Sequence, residues 1–254
     1  MLLIDMLIYV ATHKSFDTSI LPKSYIPLHV GMEGKVSLGY LGDNTGDNIS
    51  LKNDKYCELT GLYWIWKNSQ EDIVGLCHYR RFFVSKVAYS LKVLFGVNCG
   101  ILKEQSIKRK LRKHDMIVYP FYVAKGKTIY QRFAEGHNSK DLDAVRNAIE
   151  KLYPDYLADY DLIMNGREFY YANMFIARKE VINEYCKWLF DVFFEAEKHI
   201  DTSGYDSYQK RVMGFISERV FEVWITHNKI NICKMPVIMT EDKSIFKWLL
   251  RRKK

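Results

Sequence analysis

After its first residue, Asp72–Cys77 (DIVGLC) is an unbroken apolar run, and it stops abruptly at His78-Tyr79-Arg80-Arg81-Phe82-Phe83. A strand that is apolar on both faces must be covered on both faces, which commits the chain to a sheet sandwiched between helices. Two adjacent arginines beside a histidine at the exit of such a strand fall on the sheet edge where α/β proteins hold ligands. Upstream, a loop dense in Asp, Asn and Gly (Gly42–Ser50) leads into a helix expected over Leu51–Asn68, with Ser50 as its N-cap. Trp64 and Trp66 cannot share one face of that helix, so one of them is expected to border the site.

The rest of the chain alternates in the same way. Leu2–Thr12 reads as a buried strand ending in Thr12-His13-Lys14, followed by short extended pieces over Pro22–Val30 and Val36–Tyr40. Asp115–Val123 is a strand that Pro120 confines to an edge or bends. Thr128–Tyr156 is expected to be mainly helical, and Asn165–Ile176 to be a turn followed by a strand. Glu180–His199 is the clearest helix, with an apolar stripe and opposite charges at i,i+3 and i,i+4; it reads as structural. Tyr205–Asn228 is a second long helical segment with a break expected at Gly214, and Ile230–Met239 a last strand. Alternating strands and helices imply an α/β fold with a mostly parallel sheet. One domain is expected over residues 1–240, with 84–113 an apolar and basic insertion or lid and 241–254 a basic amphipathic tail.

Composition sets the remaining bounds. A chain of 254 residues, 48% of them hydrophobic, can bury the core of one large domain. The five cysteines are scattered without a CxxC pair, which argues against a disulfide framework or a zinc site and for a reducing cytoplasm. The first residues lack a basic leader, and the chain has no apolar run of the roughly 18–20 residues that span a bilayer. The net charge of +8 concentrates at Lys103–Lys113 and Lys247–Lys254, patches that suit phosphorylated or anionic partners. Lys103–Lys113 carries no aromatic and no recognised nucleic-acid-binding module is present, so no nucleic-acid partner is expected.

Phosphate loops of the GxxxxGK[ST] type, GxGxxG, GxSxG and HExxH are all missing from the sequence. What is left is a sheet edge carrying Thr12-His13-Lys14, Asp43–Asn48 and His78–Arg81. Such an edge suits a nucleoside diphosphate, because guanidinium forks match phosphate oxygens at any working pH.

The stretches YVATHK (Tyr9–Lys14), PLHVG (Pro27–Gly31), GDNTGDNISLKN (Gly42–Asn53), YCELTGLYWIWKN (Tyr56–Asn68), DIVGLCHYRRFF (Asp72–Phe83), NMFIARKE (Asn173–Glu180) and GFISERVFEVWI (Gly214–Ile225) carry a resemblance over nearly the whole chain. Together they resemble a family of bacterial capsular and exopolysaccharide biosynthesis proteins, long known as a domain of unknown function and regarded as nucleotide-sugar glycosyltransferases. The resemblance implies a GT-A-like, Rossmann-type single domain that moves a sugar from a UDP-sugar to a lipid-linked or oligosaccharide acceptor. Galactose, as pyranose or furanose, is the sugar it suggests. The basic, apolar segment Val84–Lys113 and the tail Phe246–Lys254 suit contact with an anionic leaflet, so peripheral association with the inner face of the cell membrane is the expectation for a protein of the cytoplasm.

Many GT-A enzymes hold Mn²⁺ or Mg²⁺ with a DxD motif after a mid-chain strand, whereas this chain has His78-Tyr79-Arg80 there. The favoured expectation is that arginine supplies the charge and no metal is required. The alternative is Mn²⁺ or Mg²⁺ held by Asp43 or Asp47. On this reading Thr12, His13 and Lys14 meet the nucleotide, Asp43, Asn44, Asp47 and Asn48 hold ribose or sugar hydroxyls, and His78, Arg80 and Arg81 contact the diphosphate. Asn173 meets the transferred sugar, and Glu218 is the general base, with His137 as the alternative base or acceptor contact. A competing expectation, from a different class, is a non-catalytic protein that binds a nucleotide-sugar or polysaccharide.

Overall fold

The computed structural model describes residues 5–95, 100–123 and 126–240. Residues 2–4 of the first expected strand, residues 96–99 of the expected insertion and the tail 241–254 lie outside the described residues.

The central sheet is built from β1 (Met6–Thr12), β2 (Tyr25–His29), β3 (Leu41–Gly42), β4 (Ile73–His78), β5 (Arg81–Phe83), β6 (Met116–Val118), β9 (Phe175–Arg178), β10 (Ile232–Lys234) and β11 (Val237–Met239); β7 (Phe121–Val123) and β8 (Glu168–Tyr170) pair as a separate ribbon. The strand order is β10-β6-β9-β4-β1-β2-β3, and along that path only β9 runs against its neighbours. The mostly parallel α/β sheet expected from the sequence is therefore the one observed. β5 folds back antiparallel to β4 through the pair His78↔Arg81 and is extended by β11.

Helices cover both faces. They are α1 (Asn53–Tyr56), α2 (Leu59–Asn68), α3 (Lys86–Phe95), α4 (Glu104–Leu111), α5 (Ile129–Gly136), α6 (Ser139–Leu152), α7 (Leu157–Asn165), α8 (Lys179–Ala196) and α9 (Val212–His227). The alternation of the strands sorts the core into two halves. Tyr9, Ala11, Val74 and Leu76 pack with α2, α6, α8 and α9, whereas Ile8, Val10, Ile73 and Cys77 pack with Ala88 of α3 and with Ile107 and Leu111 of α4.

Several elements depart from the sequence expectations, each for an identifiable reason. The single helix expected over Leu51–Asn68 is interrupted at Cys57, whose φ of 52° takes the backbone into the left-handed region. Ser50 caps nothing; its hydroxyl donates instead to Asp43 Oδ1 at 2.5 Å. The strands expected over Asp115–Val123 and Ile230–Met239 each split in two, at Pro120 and Pro236, because proline cannot donate to the ladder. Each half then joins a different partner. The break expected at Gly214 is absent: α9 runs straight through it, and the missing side chain lets α9 approach the Cys57 turn, where an added Cβ would lie 3.1 Å from Cys57 Sγ. The stripe on α8 is buried, with Tyr185, Leu189, Phe193 and Ala196 in the core and Lys187 donating to Asp191 at 2.6 Å on the outside.

Candidate functional site

β1 and β4 lie side by side in parallel, with Ala11 opposite His78, and the Tyr79 amide donates to the Ala11 carbonyl at 3.1 Å. This pairing joins two motifs that are more than sixty residues apart, Thr12-His13 and His78–Arg81, at one end of the sheet. A cleft of about 760 Å³ opens there, walled by α1, the N-terminus of α9 and the Tyr171–Ala172 turn. Five cationic side chains (Arg80, Arg81, Lys210, Arg211, Arg219) line it against three carboxylates (Asp54, Glu58, Glu218), so its described lining carries a positive excess. Cations at the start of a helix oppose the helix dipole, so the cluster Lys210-Arg211 just before α9 is costly to the fold and suited to an anion.

The floor of the cleft is a strained turn. Ala172 (φ 75°) and Asn173 (φ 42°) both adopt left-handed backbone, which costs about 1–3 kcal/mol for each such non-glycine residue. Polar side chains clamp it. His78 Nε2 donates to the Ala172 carbonyl at 2.6 Å, and the Ala172 amide donates to Glu218 Oε1 at 2.8 Å. Asn173 Nδ2 donates to Glu58 Oε1 at 2.8 Å, and the Ser217 hydroxyl donates to Asn173 Oδ1 at 3.1 Å. The strain, the second clamp of Glu58 and the Cys57 break all meet at this cleft.

Electrostatics follow from burial. Glu218 is buried, which pushes its carboxyl up to about 7, while Arg219, donating to its Oε2 at 2.9 Å, pulls the other way. Burial also lowers His78, so its imidazole is neutral and donates through Nε2. Partial desolvation, with Lys14 and Arg80 adding to it, holds His13 below the ordinary imidazole value. His137 is lowered by desolvation too; its Nδ1 donates to Gln209 Oε1 at 2.9 Å, leaving Nε2 as an acceptor.

Of the residues singled out in the sequence, Thr12, His13, His78, Arg80, Arg81, His137 and Glu218 all line this cleft. Thr12 does so with a committed hydroxyl, which donates to the Lys14 carbonyl at 2.5 Å. Lys14 lies over the Tyr79 ring, 5.1 Å from its centre, outside the lining. Asn173 lies beneath the floor and works on the turn itself. The Asp-Asn-Gly loop is elsewhere. Asp43 is fully buried, and its carboxylate accepts four hydrogen bonds, from the amides of Gly31 and Met32 and the hydroxyls of Ser50 and Thr60. Asp47 accepts from the Tyr63 hydroxyl, Asn48 Oδ1 accepts from the Ser50 amide, and Asn44 packs beside Gly42. These are turn and cap contacts, which such residue types favour with or without a ligand. Both tryptophans serve the core: Trp64 donates to the Thr45 carbonyl at 3.0 Å, and Trp66 stacks on Phe190.

Asp43 and Asp47, the residues considered as alternative holders of Mn²⁺ or Mg²⁺, are thus engaged in holding their own loop. Among the described residues, no group of three or more His, Cys, Asp or Glu is arranged to hold a metal ion. Sequence reasoning missed Glu58, Tyr79, Tyr171, Tyr208, Arg211 and Arg219 at the cleft. The unfavourable cations ahead of α9 were the one available signal.

Comparison with known proteins places these features in context. The model of a family described as a domain of unknown function (DUF4422) matches residues 7–229. No curated protein matches. Among solved structures, the apo structure of the WbbM bifunctional glycosyltransferase is similar to this chain, with a TM-score of 0.82 and 30% identity over 94% of this chain. The chain spans about half of that protein, 46% of its length.

Proposed function

The chain belongs to the DUF4422 family, and from that premise we propose that it is a glycosyltransferase whose cleft at the ends of β1 and β4 binds a UDP-sugar and transfers the sugar to a saccharide acceptor. The observation that carries this reading is the cleft itself, in which a cationic excess faces a buried carboxylate poised near neutral pH. The likeness to a solved glycosyltransferase over almost the whole chain supports it.

In a direct transfer the acceptor oxygen forms the new bond to the anomeric carbon while the bond to the diphosphate breaks. UDP then leaves with the electron pair and a growing negative charge. Arg80 from the β4–β5 turn, Arg81 from the start of β5 and Arg211 from just ahead of α9 line the cleft in which that charge would develop. Fixed cations in a partly desolvated site stabilise such a leaving group without reorganising. The acceptor proton goes to Glu218, whose raised value matches the working pH of a general base, or to the open Nε2 of His137. His78 acts as a positioning residue by fixing the Ala172 turn. The acceptor is proposed to be a lipid-linked or oligosaccharide chain in capsule or surface-polysaccharide synthesis.

The test is a panel of UDP-sugars, UDP-galactose in both ring forms included, incubated with oligosaccharide acceptors with and without EDTA while UDP release and transfer are measured. Turnover that survives EDTA supports the arginine clamp. Complete loss in EDTA removes the clamp. A saturable thermal shift without any turnover favours a non-catalytic binding protein.

A further inference from the structure

Helix α3 is inverted with respect to water. Val87, Leu91, Leu94 and Phe95 are 71%, 39%, 54% and 59% exposed, while Ala88 and Lys92 turn inward at 5% and 6%. The four exposed apolar positions are spaced i, i+4, i+7, i+8 and so form one stripe along the helix. Single exposed apolar residues are ordinary, but a contiguous row of large ones marks a surface that meets something else.

The face of the sheet that carries the stripe is also basic. α3 and α4 cover the same face of the sheet, where Ala88, Ile107 and Leu111 share one core. The chain entering α4 packs directly on α3: Val84 bridges to Ile101, and a Cβ on Gly100 would lie 2.6 Å from the Ala88 Cβ. Around α4, Lys103, Arg109, Arg112 and Lys113 are exposed, while Glu104 is paired with Lys108.

We propose that α3 is a membrane-surface anchor: its stripe beds into the acyl boundary of an anionic leaflet while the cations around α4 engage the headgroups. The charge decides the occupant. A second copy of the chain would bring like-charged helices together, and an uncharged apolar partner would leave the cations unmatched. An anionic lipid surface offers an apolar layer beneath negative charge, which matches both halves of the patch. A helix of ten residues is too short to span a bilayer and lies in its plane. The described residues of 84–113 are absent from the cleft lining, so the anchor stands independently of the glycosyl-transfer reading.

The test is co-sedimentation of the full chain with vesicles of phosphatidylcholine alone and of phosphatidylcholine mixed with phosphatidylglycerol. Wild-type protein should bind the mixed vesicles and not the neutral ones, with binding that weakens as salt rises. The variant Leu91→Gln/Leu94→Gln, altered only at exposed positions, should keep the wild-type circular dichroism melt and bind about tenfold more weakly or worse. Arg109→Gln/Arg112→Gln should weaken binding in the same direction. Undiminished binding by the α3 variant, equal binding to neutral vesicles, or no vesicle binding at all would overturn the proposal. So would a solution dimer, seen by light scattering, that the α3 variant dissociates.

Discussion

Glu218 sits at the point where structural and chemical demands meet. One oxygen holds the strained Ala172 amide and the other holds Arg219, while burial raises the carboxyl to about 7. A base must be deprotonated to accept the acceptor proton, so the transfer rate should fall as pH drops below about 7 and level off above it. Glu218→Gln keeps the shape and the acceptor oxygen, and should lower kcat by about a hundredfold or more while leaving UDP affinity within a few-fold. A pH–rate profile on both proteins checks this; an unchanged acidic limb in the variant would hand the role to His137. At this scale the sequence was legible wherever a polar motif ended a buried strand, as at His13 and His78–Arg81. It was misleading at Asp43. Loops of Asp, Asn and Gly have the same composition whether they hold a ligand or tie up their own backbone, and here four internal donors saturate the carboxylate. Glu58, in the turn between α1 and α2, and Arg211, just ahead of α9, were hidden because residues flanking a helix become site residues only when another element packs beside them.

Among the elements, β4 positions the arginines, and its packing is tight. An added Cβ at Gly75 would come within 2.7 Å of Ile176 Cγ1, 2.9 Å of Ile8 Cδ1 and 2.9 Å of the Phe175 carbonyl. Gly75→Ala should therefore destabilise the fold by about 1–3 kcal/mol, read as a lowered urea midpoint with an unchanged slope. A midpoint equal to wild type would mean that the β4–β9 seam yields more easily than these distances allow. Periodicity located most elements because their apolar spacing is set by burial. Boundaries failed where the backbone did something its residue types do not advertise. Cys57 and Ala172 adopt left-handed backbone that sequence patterns assign to glycine, whereas Gly214, read as a break, is a helical glycine that makes room for a neighbour. Pro120 and Pro236 were visible, but their consequence, the division of each strand between two partners, depends on the assembled sheet.

For the whole molecule, a single α/β fold separates its tasks by location. The cationic cleft occupies the end of β1 and β4, bounded by helices of the larger core half, while the inverted α3 and basic α4 cover the opposite face of the sheet. Among the described residues, no helix is long and apolar enough to cross a membrane. The central claim is that arginines supply the charge on which a nucleoside diphosphate is held. Calorimetric titration of the full chain with UDP, in buffer containing EDTA, tests it most directly, on wild type and on Arg80→Ala and Arg81→Ala. The account expects saturable binding by the wild type in EDTA, and affinity lowered by about tenfold or more in each variant, as loss of a charge-assisted contact implies. Binding that appears only when Mn²⁺ or Mg²⁺ is restored, or that both variants retain in full, would contradict it.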